Sequence, residues 1–168
     1  MTEMTVRYLE RIEEHAGTDT WYLDPDRCGG GCVADNGPNA FDLVESLLGP
    51  AEAVAAHVTR DAAGTDRQAG ITLRAGDARA RVLLDWSHPG ERKDVEVRTA
   101  DGAVLAVDML AGHSEFKGSL WHEYVGVLAD FERRVRDGLV EDPGGPSALR
   151  LVGDAYRLAG ERTREGVG

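Results

Sequence analysis

A short cluster of carboxylate and amide side chains separates a glycine run from an apolar helical pattern. Its members are Asp35, Asn36, Asn39 and Asp42. Such oxygens accept hydrogen bonds from the hydroxyl groups of a polar ligand, and an aspartate can also act as a general acid or base. The same residue types satisfy free N–H groups at helix starts. The residues alone leave two interpretations open: a polar substrate site with Asp35 as acid or base, or a helix cap.

The spacing of the cluster predicts that a helix positions it. Asn39 and Asp42 lie three residues apart and therefore share one side of a helix. The apolar residues that recur at helical spacing on another side are Phe41, Val44, Leu47 and Leu48. Proline is favoured in the first turn of a helix, so we expect the helix to begin near Pro38. Gly49 and Pro50 predict its end.

Two cysteines, Cys28 and Cys32, flank the glycine run at 29–31. Zinc sites normally need four ligands, and no second ligand pair follows, so no bound metal is expected. Reduced cysteines beside a tight backbone path are the expected arrangement. The glycines either cradle an anion through their N–H groups or supply a turn with positive φ angles, and we favour the turn.

Histidines and aromatic residues provide the remaining candidates. The five histidines are His15, His57, His88, His113 and His122. His122, beside Trp121 on an apolar helix, is the most suggestive as an acid or base, although a lone histidine is more often exposed or interfacial. Trp21, Tyr22 and Trp86 either stack on a ring of a ligand or belong to the core.

Composition limits the class of protein. The 168-residue chain has the length of one domain, with 42% hydrophobic residues. It contains 30 acidic and 19 basic residues, for a formal net charge of -11, which argues against nucleic acid. No apolar run approaches the ~20 residues of a membrane-spanning helix, and no signal-peptide pattern opens the chain. We therefore expect a cytoplasmic protein without membrane contact.

The elements that must hold these residues follow a simple order. Alternating patterns predict strands at 52–60, 71–74, 79–86, 94–98 and 103–110, with a polar loop at 61–70 and a break at 88–90. The apolar segment 103–110 is expected to be central in the sheet. Helical patterns follow at 120–138 and from about Ser147 onward. Residues 4–14 fit a strand and a helix equally well.

A run of strands followed by a run of helices predicts an α+β fold. We expect a mostly antiparallel sheet of about six strands with helices packed on one face. Such a sheet leaves its second face open, and an apolar open face would need a partner.

The ordered motifs resemble the C-terminal domain of the Gfo/Idh/MocA oxidoreductases over residues 4–160. They are W-Y-L-D-P-D at 21–26, the glycine run at 29–31, D-N-G-P-N-A-F-D at 35–42 and the closing helix pair. The resemblance implies that residues 4–14 form a strand and that residues 1–168 are a single such domain. In this family a preceding Rossmann domain binds NAD(P), and the C-terminal domain contacts substrate and oligomerises through its sheet.

The chain departs from the family pattern in two ways. The family motif reads Asp, any residue, Gly, any residue, His, two residues, Asp, and the matching positions are Asp35, Gly37, Asn39 and Asp42. Asn39 replaces the histidine; an amide cannot act as a general base but can hydrogen-bond a sugar hydroxyl. No strand is followed by a G-x-G-x-x-G turn, so we expect no cofactor to be bound by this chain alone.

Three hypotheses follow from the resemblance and the residues. In the first, the chain is a substrate-binding, oligomerising subunit that acts beside a separate Rossmann-type subunit on a sugar, polyol or cyclitol. In the second, it is a cofactor-independent isomerase, lyase or cyclase that uses Asp35 or a histidine of the 113–122 region. In the third, it is a structural or regulatory dimer without chemistry. All three include a homodimer through the open sheet face.

The candidate site residues divide by expected role. Asp35 and His122 are the catalytic candidates. The expected contacts to a small-molecule substrate are Asn39, Asp42, Trp21 and Tyr22.

Overall fold

The computed structural model describes residues 3–14, 20–113, 121–139 and 144–165, without the side chains of Thr20, Tyr22 and residues 161–165. Six strands are described: β1 (Glu3–Arg11), β2 (Glu52–Arg60), β3 (Asp66–Ala75), β4 (Ala78–Asp85), β5 (Ser87–Arg98) and β6 (Val104–Asp108). The α-helices are α1 (Pro25–Cys28), α2 (Cys32–Leu48), α3 (Trp121–Arg136) and α4 (Gly144–Glu165). Short 3-10 helices occupy Ile12–Glu14 and Thr20–Leu23.

All six strands form one sheet in the order β2-β3-β4-β1-β5-β6. Neighbouring strands are antiparallel except for the parallel pair β1 and β4. The segment whose own pattern fitted strand and helix equally is therefore the strand β1, near the centre of the sheet. The predicted α+β class with a mostly antiparallel, six-stranded sheet is confirmed.

The core lies between the sheet and two helices, α2 and α4. Val6 of β1 is aligned with Val82 of β4 and Val95 of β5, and Val82 is aligned in turn with Ile71 of β3. These side chains are buried on the same face as the apolar stripe of α2 and the inner residues of α4. Burial of such aliphatic side chains stabilises the fold by roughly 25 cal/mol per Å² of apolar surface removed from water.

Helix α2 begins at Cys32, six residues before the predicted start, so Pro38 lies inside the helix. The cause is a cap from a distant strand. The buried carboxylate of Asp66 accepts hydrogen bonds from the N–H groups of Gly31 (2.7 Å) and Val33 (2.9 Å). Asp66 itself opens β3, so the second half of the predicted loop 61–70 belongs to a strand.

The predicted break at 88–90 is wrong, because β5 continues through these residues. Its register with β1 shifts between Glu10, aligned with Glu91, and Arg11, aligned with Ser87. The strand therefore carries the three extra residues as a bulge and continues, which is how sheets commonly absorb a proline.

The predicted central position of segment 103–110 is wrong, because this segment contains β6. It is the last strand of the sheet, and all five of its residues are exposed. Helix α3 is similarly exposed along its length. The large apolar residues exposed on these two elements are Val104, Leu105, Val107, Trp121, Tyr124, Val125, Val127, Leu128, Phe131 and Val135.

The open face of the sheet is charged rather than apolar. Arg7 of β1 lies 2.6 Å from Asp94 and 3.9 Å from Glu96, both on β5. Toward the β2 edge of the sheet, on the same face, Arg74 of β3 pairs with Glu52 of β2. Ion pairs therefore join some of the charged side chains on this face.

Within the described ranges, no helix is long and apolar enough to cross a membrane.

Candidate functional site

A cavity of about 810 Å³ lies between α2 and the β1–β5 part of the sheet. Helix α2 supplies one wall, β1 and β5 supply the floor, and residues after β6 and at the start of α3 complete the rim. The lining side chains are Tyr8, Glu10, Ile12, Glu14, Asp35, Asn36, Asn39, Asp42, Leu43, Ser46, Lys93, Met109, Leu110, His113, His122 and Glu123. This volume suits a small, drug-sized ligand.

The wall from α2 carries three of the predicted site residues. Asp35, Asn39 and Asp42 lie four and three residues apart, so helical spacing places them on one face. Each of them is exposed, and each lines the cavity. Their oxygens and the amide nitrogen of Asn39 therefore reach a ligand from the same side.

The floor is a buried polar network that joins α2, β1 and β5. Asn36 donates a hydrogen bond of 2.7 Å to Oε1 of Glu10. The Nζ atom of Lys93 lies 3.4 Å from Oε2 of Glu10 and 3.1 Å from Oε1 of Glu91. All three ionisable side chains are at most 13% exposed. Lys93 also lies over the ring of Tyr8, with Nζ 5.8 Å from the ring centre.

The pKa of the Tyr8 hydroxyl reports the electrostatics of the cavity. Burial raises this pKa, and the carboxylates of Glu123, Asp42 and Glu10 raise it further because they oppose a phenolate charge. Negative charge from the helix wall, the rim and the floor thus converges on one hydroxyl. At neutral pH Tyr8 is a protonated hydrogen-bond donor.

Two histidines lie together at the rim. The rings of His113 and His122 stack with centroids 4.3 Å apart and an angle of 13° between their planes. Both rings line the cavity, so His122 shares it with Asp35. The arrangement brings the two imidazole rings and the Asp35 carboxylate to one volume.

The predicted aromatic contacts lie elsewhere. Trp21 lines a separate cavity of about 170 Å³ together with Trp86 and the glycine run, and Asp35 borders both cavities. Trp86 is 1% exposed and is a core residue, so stacking on a ligand ring is not its role. The side chain of Tyr22 lies outside the described residues.

The glycine run packs against the cap of α2. A Cβ on Gly30 would lie 2.1 Å from the Tyr156 hydroxyl, and one on Gly31 would lie 2.1 Å from the backbone oxygen of Asp66. Gly29 has a φ of 77°, the positive angle expected for the turn. Because Asp66 already accepts from the Gly31 and Val33 N–H groups, this loop does not present a free anion cradle.

The two cysteines are free thiols. Burial raises the pKa of Cys32, and the nearby carboxylate of Asp66 raises it further. This thiol is therefore protonated at neutral pH and a poor nucleophile or metal ligand. Among the described residues, no group of three or more His, Cys, Asp or Glu side chains could hold a metal ion.

The described residues do not fit a dinucleotide. A dinucleotide site uses a glycine-rich turn between a strand and a helix of a parallel β-α-β unit, with free N–H groups for the pyrophosphate. Here the glycine-rich loop before α2 faces the carboxylate of Asp66, which repels a phosphate. This loop therefore does not supply a pyrophosphate site.

Sequence reasoning missed the floor. Lys93 lies two residues before Val95 and four residues before Val97, and both valines point to the core. The alternating pattern therefore places Lys93 on the same inner face. The same alternation places Tyr8 and Glu10 on the inner face of β1 with Val6. A lysine or glutamate at an inward position of a strand was the available signal.

The fold and this cavity are those of an α+β domain, and comparison with known proteins identifies its family. The family model for the GFO/IDH/MocA C-terminal domain matches residues 1–105. The chain belongs to the GFO/IDH/MocA C-terminal-domain family, which confirms the resemblance derived from the sequence. No curated protein sequence matches the chain.

Solved structures share the fold over nearly the whole chain. GenD2 from gentamicin A biosynthesis, in complex with NAD, is 24% identical with a TM-score of 0.73 and matches 94% of this chain and 53% of its own. D-Galactose-1-dehydrogenase from Rhizobium etli is 20% identical, with a TM-score of 0.68 and coverage of 93% and 51%. Levoglucosan dehydrogenase, in complex with NADH, is 16% identical, with a TM-score of 0.69 and coverage of 95% and 56%. The chain thus spans about half the length of these proteins.

Proposed function

We propose that this chain is the substrate-binding and oligomerising part of an oxidoreductase that acts on a sugar, polyol or cyclitol. The cofactor site belongs to a separate Rossmann-type subunit. The observation that carries the proposal is the row formed by Asp35, Asn39 and Asp42 on the wall of the 810 Å³ cavity. These are the positions of the family's site motif, so the polar row and the family membership agree.

The wall and floor have complementary roles in this proposal. Asn39 and Asp42 hydrogen-bond hydroxyl groups of the ring from the α2 side. Lys93 and Tyr8 donate hydrogen bonds from the floor, where Glu10 and Glu91 fix the ammonium group. Asp35 takes or returns the proton of the reacting hydroxyl, because Asn39 cannot titrate.

The redox step needs a dinucleotide-binding unit besides the described residues, because these do not fit a dinucleotide. The exposed apolar residues on α3 and on β6 support a partner subunit, since exposed apolar surface often marks an interface. Helix α3 also brings His122 and Glu123 to the rim, so a subunit docked there would border the cavity.

The homodimer through the open sheet face remains part of the proposal. That face is rich in arginine and carboxylate side chains, so its contacts would be ion pairs rather than apolar packing. A two-fold interface of this kind can be self-complementary. Sedimentation equilibrium tests it: a dimer that dissociates with added salt supports the open face, and a monomer rejects the homodimer.

Thermal unfolding with a panel of ligands tests the proposed function. A ligand that binds only the folded state raises the unfolding midpoint. We expect neutral hexoses or cyclitols to raise it and NAD⁺ or NADP⁺ alone to leave it unchanged. A shift with a dinucleotide would reject the separate cofactor subunit, and no shift with any polyol would reject the substrate site and favour a structural or regulatory dimer.

A second candidate function rests on the stacked pair His113 and His122. Together with Asp35 they supply the acid and base that an isomerase, lyase or cyclase needs without a cofactor. Exchange of ligand C–H protons with deuterated solvent in the absence of dinucleotide would favour this function. Asp35→Asn would abolish that exchange if Asp35 is the base, and full exchange in the variant would exclude this role.

A further inference from the structure

Helix α3 carries an apolar stripe that the described residues leave exposed. Its members, Tyr124, Val127, Leu128, Phe131 and Val135, recur at helical spacing and therefore lie on one side of the helix. Each of these residues is 58% to 65% exposed. A continuous row of exposed apolar side chains marks an interaction surface.

The stripe lies on a different side of α3 from the cavity. His122 lines the cavity, and it lies nine residues before Phe131. Nine residues are about two and a half helical turns, so these two residues lie on opposite sides of the helix. The side of α3 that borders the cavity is thus opposite the stripe. Cover for the stripe therefore has to come from outside the described residues.

One edge of the stripe carries charges of opposite sign at its two ends. Glu123 lies in the first turn of α3, and Arg134 lies near its end. They are eleven residues apart, about three helical turns, so they share the edge beside Val127. Arg134 pairs with Asp130 of its own helix at 2.9 Å, and a guanidinium group can pair with more than one carboxylate.

This edge favours a second copy of the chain as the occupant of the stripe. When two identical helices face each other antiparallel about a two-fold axis, each edge meets the same edge of the other copy. Glu123 of each copy then lies near Arg134 of the other, and opposite ends of the two helix dipoles are adjacent. A parallel pair would instead place like charges beside each other.

The size of the stripe also suits a dimer. The antiparallel register that aligns the charges sets Tyr124 of one copy opposite Phe131 of the other, and Val127 opposite Leu128. Five side chains exposed to this degree present roughly 500 Å², so two facing stripes bury on the order of 1,000 Å². Specific protein interfaces begin at about this size.

We propose that α3 is a dimerisation helix, whose stripe packs antiparallel on the same stripe of a second copy with Glu123 of each copy beside Arg134 of the other. The contact uses other residues than the open sheet face and does not depend on the proposed function. Because Glu123 also lines the cavity, the second copy borders the cavity rim. Both contacts together would join four copies at low salt, and the apolar α3 contact would keep two together at high salt.

Sedimentation equilibrium at about 1 M NaCl tests the contact, because this salt screens the ion pairs of the open face. We expect the wild-type chain to be a dimer. Phe131→Glu should weaken association at least about 100-fold, since it puts a charge inside an apolar interface in both copies. The control Ala129→Glu adds the same charge to α3 outside the stripe and should leave the dimer intact. Urea unfolding in dilute solution, where the copies are separate, checks that both variants are folded.

Charge reversal tests the antiparallel arrangement. At about 0.15 M salt, Glu123→Arg alone and Arg134→Glu alone should each weaken association about fivefold or more, because each opposes like charges across the interface. The two substitutions together restore opposite charges in an antiparallel pair, so the double variant should recover most of the loss.

The outcomes decide the inference without reference to the ligand. A wild-type chain that is monomeric at high salt would overturn it, and so would a Phe131→Glu dimer as stable as that of Ala129→Glu. Losses that add in the double charge variant would also overturn it. Ligand binding in the cavity is measured separately, so the proposed function and this inference can fail independently.

Discussion

The Nδ2 atom of Asn36 donates a hydrogen bond of 2.7 Å to Oε1 of Glu10, and both side chains are buried. This contact ties the second turn of α2 to the end of β1, in the floor of the cavity. Glu10 also faces Lys93, so the position of the helix wall and the charge arrangement of the floor depend on one another.

Asn36→Ala should lower the free energy of unfolding by about 1–3 kcal/mol, because it leaves a buried carboxylate oxygen without its donor. Asn39→Ala, four residues later on the exposed side of the same helix, should change stability by less than about 0.5 kcal/mol. Urea unfolding of both variants measures the difference. Equal stabilities would mean that the Asn36–Glu10 contact does not hold α2 to the sheet.

Lys93→Met should destabilise the protein by about 3 kcal/mol, because Glu10 and Glu91 then lose the ammonium group that lies between them. The control is Arg92→Met, on the same strand but on the open face, where its guanidinium pairs with Asp94 at 55% exposure. An exposed pair of this kind contributes less than about 1 kcal/mol. Adding Glu91→Gln to Lys93→Met should recover part of the loss, and no recovery would contradict the charge arrangement.

Gly31→Ala should prevent stable folding or cost more than about 3 kcal/mol, since its methyl group would meet the backbone oxygen of Asp66 and break the cap of α2. Gly29→Ala is the matched control: it has open space around it but a φ of 77°. That angle costs about 1 kcal/mol for an alanine. Circular dichroism and thermal unfolding distinguish the two, and similar losses would show that close packing is not the constraint at Gly31.

The raised pKa values of two tyrosines predict that the protein loses stability in alkali. Burial and nearby carboxylates raise the pKa of Tyr8, and burial and Asp66 raise that of Tyr156. Above the unfolded pKa of about 10, the folded state retains protons that the unfolded state has released, so the free energy of unfolding falls as pH rises.

Urea unfolding at a series of pH values above about 9 measures this slope. Tyr8→Phe should flatten the slope, because one of the retained protons is then removed. Tyr124→Phe, which changes an exposed tyrosine, should leave the slope unchanged. A Tyr8→Phe variant with the wild-type slope would show that the cavity charges do not act on this hydroxyl.

Local patterns predicted much of the fold, because they encode which face of an element is apolar. The stripe of α2, the alternation along β4 and the two closing helices follow from such patterns. The start of α2 does not, because its cap is Asp66, which lies 35 residues from Gly31 in sequence. A capping residue on another strand leaves no trace near the helix that it caps.

The order of the strands in the sheet could not be predicted from the sequence, for a related reason. Segment 103–110 is apolar, which favours its coverage by other residues. The pattern does not tell whether those residues belong to this chain or to a partner. Strand β6 lies at the edge of the sheet, with Leu105 and Val107 exposed. Apolar sequence at an edge is also compatible with a partner, and hydropathy does not separate the two cases.

The candidate site was predicted in part. Asp35, Asn39 and Asp42 share one helix face by spacing alone, and His122 joins them because the chain returns after β6. Glu10 and Lys93 were missed because they are far apart in sequence and meet only through the pairing of β1 with β5. Their partnership is a property of strand register, which the sequence does not state.

The most direct test of the cavity as a substrate site is a ¹⁵N NMR titration of the protein with the polyol that most raises its unfolding midpoint. We expect the amide resonances that shift to cluster around the cavity, at Tyr8, Asn39 and Lys93. The amides of Asp77 in the β3–β4 turn and Arg74 on the open face should stay unchanged. Shifts confined to the open face or to the turn would contradict a substrate site under α2.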